Sequence, residues 1–228
     1  MRASRDTVRA EFSGIPAEAF DFYGELAANN TRAWWLERKA DYERYVRGPV
    51  TALLAGLADE FGTAHLFRPY RDTRFSKDKP PLKEHQGGFV GAEDAIGYYI
   101  EISASGLLVA GGWYAAQGQQ TARYRAAVAQ GNAAHLRGLI ATLERQGWTV
   151  DGKPLKTRPR GVAADHPDLD LLRFRVLTGA RKYEAQPWMG TAEAAARVRA
   201  DWRQLRPLVD WLADHVGPAA DPALDLLP

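Results

Sequence analysis

The hydrophobic pattern of this chain changes period between Gly62 and Gly87, and that change limits the folds open to it. Before Gly62 apolar residues recur at intervals of three and four. Pro16 suits the first turn of a helix, where its missing N–H costs nothing, and Ala19, Phe22, Tyr23 and Leu26 follow on one face. Asn29-Asn30 breaks this helix, and Thr31 is predicted to cap a second one whose buried face carries Trp35, Tyr42 and Val46. Gly48-Pro49 marks a stop and a restart, and Val50, Leu53, Leu54, Leu57 and Phe61 keep helical spacing until Gly62. From Gly87 the chain reads instead as glycine-bounded runs rich in aromatic and β-branched residues, GGFVG, GYYIEIS and GLLVAGGWY, which predict strands.

Ala104-Ser105-Gly106 is short enough to join the last two runs as an antiparallel hairpin. Gly111-Gly112 inside the final run predicts a bulge, the commoner case, or a close approach by another backbone or a ligand. Helical spacing returns from Thr121 and stops at Gly147; WTVDGKPLK then reads as a hairpin turning at Asp151-Gly152. Asp165 is predicted to cap a short helix with Pro167 in its first turn. A strand follows over 174–183. A long apolar stripe from Ala195 to Val216 reads as helix, which Pro207 should kink or split. Strands and helices segregate without βαβ alternation. The expected fold class is therefore α+β: a single domain over 1–228, with a mainly antiparallel β-sheet covered by N-terminal and C-terminal helices. Its expected parts are helices over 16–62, a basic loop over 68–85, strands over 87–114, helices over 121–146, a hairpin over 148–156, and helices over 191–216.

Hydrophobic residues make up 46% of the 228, enough for a substantial core, and a net charge of only +2 argues against a chain that coats nucleic acid. The sequence has no cysteine, which excludes disulfides and thiolate chemistry and points to a reducing cytoplasm. The N-terminal residues lack the apolar core of a signal peptide, and no run is long enough to span a membrane.

The densest chemistry lies at the change of period. Arg68 to His85 holds six cations, one histidine and three prolines in eighteen residues. Cations at contact distance repel by roughly 1 kcal/mol per pair in water, more in a cleft, so carboxylates or a bound anion must offset them. One reading uses Asp72, Asp78 and Glu84 as internal partners, with Asp72 serving Arg68 and Arg74. The other brings in a second basic loop, Lys153, Lys156, Arg158 and Arg160, and makes the two loops one phosphate- or carboxylate-binding cleft. The binding residues expected on that reading are Arg71, Arg74, Lys77, Lys83, Arg158 and Arg160. His85 and His166, beside Glu84 and Asp165, are the candidate general acids or bases, weighed against solvated or structural histidines.

His166, Asp168 and Asp170 suggest a metal site, but Asp168 as a first-turn acid and Asp170 paired with Arg173 account for the same residues, so no metal is assigned. Gly147 to Lys153 begins like a phosphate-binding loop, yet Pro154 occupies the place of its Ser/Thr; Ser76 to Lys79 fits S-x-x-K without the accompanying elements. Of the adjacent aromatic pairs Tyr98-Tyr99 and Trp113-Tyr114, one member each should be core and the other exposed.

Asn29-Asn30 followed by Trp34-Trp35, the RFSKDKPPLK run, Gly97-Tyr98-Tyr99, Gly111-Gly112, the LKTRPRG run, His166-Pro167 and the DLLR of 170–173 occur in an order that resembles one known family. It is the bacterial and fungal family called domain of unknown function 2461. The resemblance covers roughly Phe20 to Val216. It implies one intact domain and carries no functional residue or cofactor across. The residues themselves lead to a protein with a basic cleft for a phosphorylated small molecule or nucleotide, and, if it is an enzyme, to hydrolysis or transfer there. The alternative is an interaction module for an acidic partner or nucleic acid.

Overall fold

Thr31 accepts a hydrogen bond on its side-chain oxygen from the Trp34 N–H at 3.2 Å, so the second helix starts where its cap predicts. The computed structural model describes residues 11–71, 80–93, 95–115 and 118–218. Helices α1 (Ala17–Ala28), α2 (Arg32–Asp41) and α3 (Gly48–Phe61) follow the apolar spacing, with a π-helical turn over Tyr42–Arg47 between the last two. The strands are β1 (Thr63–Leu66), β2 (His85–Glu93), β3 (Ile96–Ser103), β4 (Gly106–Trp113), β5 (Thr149–Asp151) and β6 (Leu177–Tyr183). They form one six-stranded antiparallel sheet in the order β1-β2-β3-β4-β6-β5. Helices α4 (Gly118–Ala127), α5 (Ala133–Arg145), α6 (Leu169–Leu172) and α7 (Glu193–His215) complete the α+β architecture. β1 has no counterpart in the sequence reading, because its four residues, TAHL, carry no alternation to detect.

The chain divides into two compact units. The first comprises Met1–Val90, Glu101–Leu107 and Tyr183–Arg199. Its core is aromatic: the Phe22 ring lies 5.5 Å from Tyr23, 5.3 Å from Trp34, 6.1 Å from Trp35 and 6.0 Å from Tyr42. Gly88 of β2 lets the sheet close on α3, since a Cβ there would stand 2.4 Å from Leu54 Cδ1. Arg199 reaches α3 from α7, donating to the Gly56 carbonyl at 2.8 Å and pairing with Glu60 at 3.4 Å.

The second unit comprises Gly91–Ile100, Leu108–Lys182 and Ala200–Pro228. Trp113 and Trp202 are fully buried, and Tyr98 stacks on Trp202 at 5.2 Å. Trp148 donates its indole N–H to Gln204 at 2.9 Å while Arg181 lies over its ring at 4.3 Å and pairs with the buried Asp201 at 2.6 Å.

Three local expectations change. The predicted hairpin over 148–156 does not form: β5 ends at Asp151 and pairs antiparallel with β6, while the Leu155 N–H bonds to the Arg173 carbonyl at 2.8 Å. Pro154 has no N–H for a returning strand, and the Gly152 carbonyl is already taken by the amides of Arg175 and Val176. The close approach expected as one alternative at Gly111-Gly112 is present at Gly112: φ is +137°, and a Cβ would stand 2.2 Å from the Leu177 carbonyl oxygen. Pro207 does not split α7, which is continuous. Pro207 is exposed, so its ring and its missing N–H lie on the side of the helix that faces away from the core. Asp165 is not a cap: α6 begins at Leu169 after Asp168.

Candidate functional site

The basic stretch forms the stem of an arm. The Phe67 amide bonds to the Gly87 carbonyl, the Lys83 amide to Pro69 and the Arg71 amide to Pro81, at 3.1, 2.8 and 2.9 Å, and Tyr70 bridges Leu82 between them. Arg74 and Lys77, with Asp72 and Asp78, lie outside the described residues.

Side chains from helices lock this stem. Asn30 donates from Nδ2 to the Leu82 carbonyl and accepts on Oδ1 from the Leu82 amide, each at 3.1 Å. Tyr42 donates its hydroxyl to Gln86 Oε1 at 2.6 Å, and Gln86 Nε2 donates to the carbonyls of Phe67 and Gly87 at 2.7 and 2.8 Å. Trp35 donates its indole N–H to Tyr70 Oη at 3.1 Å. Burial, aided by Glu43, pushes the Tyr42 phenol up to about 12, so it stays a donor at neutral pH.

Between the stem and the α2 to π-turn segment lies a cleft of about 330 Å³. Its floor is aromatic, with Trp35, Tyr42, Phe67 and Tyr70. Its charged lining is Lys39, Arg47 and Arg68 against one carboxylate, Glu43, among the described residues. Glu43 is already held by Arg47 at 3.0 Å, and that bond raises the guanidinium above its ordinary range. The side chains of Lys39 and Arg68 are exposed and make no hydrogen bond or ion pair among the described residues. π-Helical turns recur at functional sites, and this one contributes Tyr42, Glu43 and Arg47 to the lining.

The expected site residues divide between the two units. Arg71 serves the stem, donating from Nε to the Leu82 carbonyl at 2.9 Å and facing Glu84 at 3.8 Å. The Lys83 ammonium lies 5.6 Å above the Phe67 ring. His85 meets Glu101 at 3.6 Å rather than its neighbour Glu84, because successive strand residues face opposite sides. His85 is not among the residues that line the cleft, whereas the next residue, Gln86, bonds to Tyr42 of its floor. In the second unit Arg158 donates to the Val162 carbonyl at 3.2 Å and Arg160 is exposed. His166 accepts on Nδ1 from the Asp168 amide at 3.0 Å, a structural turn bond.

Asp170 pairs with Arg137 at 2.6 Å, not with Arg173, and Arg137 also reaches Asp168 at 3.2 Å. Arg173 is committed elsewhere, donating from Nε to the Leu155 carbonyl at 2.6 Å. The Arg137 hydrogen bond holds the Asp170 carboxyl below its usual range. The guanidinium occupies the place a cation would take between these acids, and no group of three or more metal-ligating side chains occurs among the described residues.

The family profile described as conserved hypothetical protein (DUF2461) matches residues 18–211. The chain belongs to that family. The match takes in both the cleft-bearing segments of this DUF2461 protein and its second basic loop. Neither the curated proteins nor the solved structures include a match to it. No helix among the described residues is long and apolar enough to cross a membrane.

The sequence reading missed Lys39, Arg47 and Tyr70 as lining residues. Lys39, Glu43 and Arg47 stand at i, i+4 and i+8, a readable charged stripe, but nothing in that spacing says that Arg68 faces it.

Proposed function

We propose that this DUF2461 protein binds a small phosphorylated ligand in the cleft of its first unit, with Arg68 and Lys39 as the anion's principal partners. The observation that carries the reading is the unbalanced charge. Three cations line the cleft, the single carboxylate among the described lining residues is taken by Arg47, and Arg68 and Lys39 make no internal ion pair there. Converging cations raise the energy of the empty cleft, and an anion bridging them lowers it, by the planar fork of arginine and the point charge of lysine. The aromatic floor limits hydration and strengthens the attraction. The absence of cysteine supports a cytoplasmic setting.

Thermal melting against phosphate and pyrophosphate tests this. A ligand at a hundred times its dissociation constant stabilises the native state by about 2.7 kcal/mol, a plain rise in melting temperature. Arg68→Ala and Lys39→Ala should each abolish most of that rise while leaving the unliganded melting temperature nearly unchanged. No shift with either anion at millimolar concentration defeats the reading.

A second observation favours a polyanionic partner instead. Lys153, Lys156, Arg158 and Arg160 are all exposed and make no ion pair among the described residues. Their loop is held from within, by Arg173 on the Leu155 carbonyl and Arg175 on the Lys153 carbonyl. On this reading binding weakens steeply with salt; duplex DNA and poly-glutamate are the probes that separate nucleic acid from an acidic polypeptide.

A further inference from the structure

Tyr70 is 48% exposed, whereas Trp35 and Tyr42 beneath the same cleft are 4% and 2% exposed. An exposed ring is ordinarily mobile, but this one is held at both ends. Its backbone bridges Leu82 in the arm stem, and its hydroxyl accepts from the buried Trp35 indole at 3.1 Å with the two rings at 68° and 5.9 Å. A ring fixed in this way loses little further freedom when another ring stacks on it, which is the property that makes tyrosine an effective recognition surface.

We infer that Tyr70 is a stacking platform for a planar ring, and that the ligand of the cleft is a mononucleotide with its base on Tyr70 and its phosphate on Arg68 and Lys39. The inference rests on the anion-binding reading above. Three observations lead to it. Arg68 and Tyr70 flank Pro69 in sequence and both line the cleft, so one small ligand can reach the cation and the ring together. The cleft's volume of about 330 Å³ is at the small end of ligand pockets and suits one nucleotide, not a dinucleotide. An aromatic cage for a cationic group would need carboxylates, and Lys39, Arg47 and Arg68 repel such a ligand.

The test is calorimetric binding of three probes, inorganic pyrophosphate, ribose 5-phosphate and adenosine 5′-monophosphate, to the full chain and to Tyr70 variants. Base stacking on an aromatic side chain is worth about tenfold or more in affinity. The nucleotide should therefore bind at least about tenfold tighter than ribose 5-phosphate. Tyr70→Ala should erase that preference, and Tyr70→Phe, which keeps the ring, should retain most of it. If Tyr70→Ala fails to fold, Tyr70→Leu takes its place. Equal affinity for the nucleotide and ribose 5-phosphate overturns the stacking inference and leaves the anion site standing. Binding of none of the three overturns both. A preference that survives loss of the ring removes Tyr70 from the role.

Discussion

The carboxamide of Asn30 pairs with both backbone groups of Leu82, accepting from its N–H and donating to its carbonyl at 3.1 Å each, as a neighbouring strand would. The carbonyl also receives Arg71 Nε at 2.9 Å, so the turn between α1 and α2 and the basic arm are joined at one residue. Leu82 is 1% exposed, which makes its backbone groups costly to leave unmet. Asn30→Ala should destabilise the protein by about 1–3 kcal/mol, read as a lowered urea midpoint. Asn30→Asp keeps the acceptor but loses the donor and sets a second carboxylate near Glu84, which stands 3.4 Å from Asn30 Nδ2. That variant should regain part of its stability as the pH is lowered and the new carboxyl takes up a proton. A pH-independent Asn30→Asp midpoint would contradict this account.

Tyr42→Phe strands Gln86 Oε1, since Gln86 is 1% exposed and Tyr42 is the partner at 2.6 Å. We expect a loss of about 1–3 kcal/mol. The same hydroxyl shapes the alkaline limb of stability. Its folded value near 12 lies above the unfolded phenol at 10.0, so its contribution is intact below pH 10 and is lost as pH rises toward 12. Burial raises Tyr23 and Tyr124 as well, and they act in the same direction. Tyr42→Phe should shrink the fall in stability over that window without abolishing it, as urea midpoints at pH 9 to 12 will measure.

Arg137 and Asp170 govern a small acid-side term. With the Asp170 carboxyl held below the 3.8 of a free aspartate, this pair stabilises the fold above that pH and stops doing so as pH falls through the lowered folded value. Both side chains are well exposed, 41% and 60%, so solvent screening keeps the term below about 1 kcal/mol. Arg137→Met should lower neutral stability by that amount, under about 1 kcal/mol, and flatten the stability curve below pH 4 correspondingly. A steep acid limb that persists in the variant would assign it to other carboxylates.

Two glycines should respond in opposite ways to alanine. Gly24 lies within α1 with nothing within 4 Å of an added Cβ, so Gly24→Ala should gain about 0.5–1 kcal/mol from helix propensity alone. At Gly112 φ is +137° and the added carbon would lie 2.2 Å from the Leu177 carbonyl oxygen. Gly112→Ala should cost more than about 3 kcal/mol, because strain and a backbone clash coincide. Thermal melting of the two variants side by side checks both.

The sequence by itself determined what short-range physics controls. Helical spacing set α1, α2 and α3, Thr31 announced its own cap, and Ala104-Ser105 announced the turn between β3 and β4. Tyr98 and Trp113 are core, but Tyr99 is half-buried instead of exposed, and the exposed Tyr114 lies just past the end of β4. The tertiary structure alone decided who meets whom. Asn30 reads as a helix breaker and turns out to hold Leu82, fifty-two positions away. Asp170 has Arg173 within one helical turn but binds Arg137, thirty-three positions away, because Arg173 is committed to the loop backbone at Leu155. Lys39, Arg68 and Tyr70 become one cleft through the pairing of an arm with a helix. Periodicity and capping are satisfied within a few residues and leave a local trace; a charged or amide group has many chemically equivalent partners along the chain, and only burial and backbone geometry choose among them.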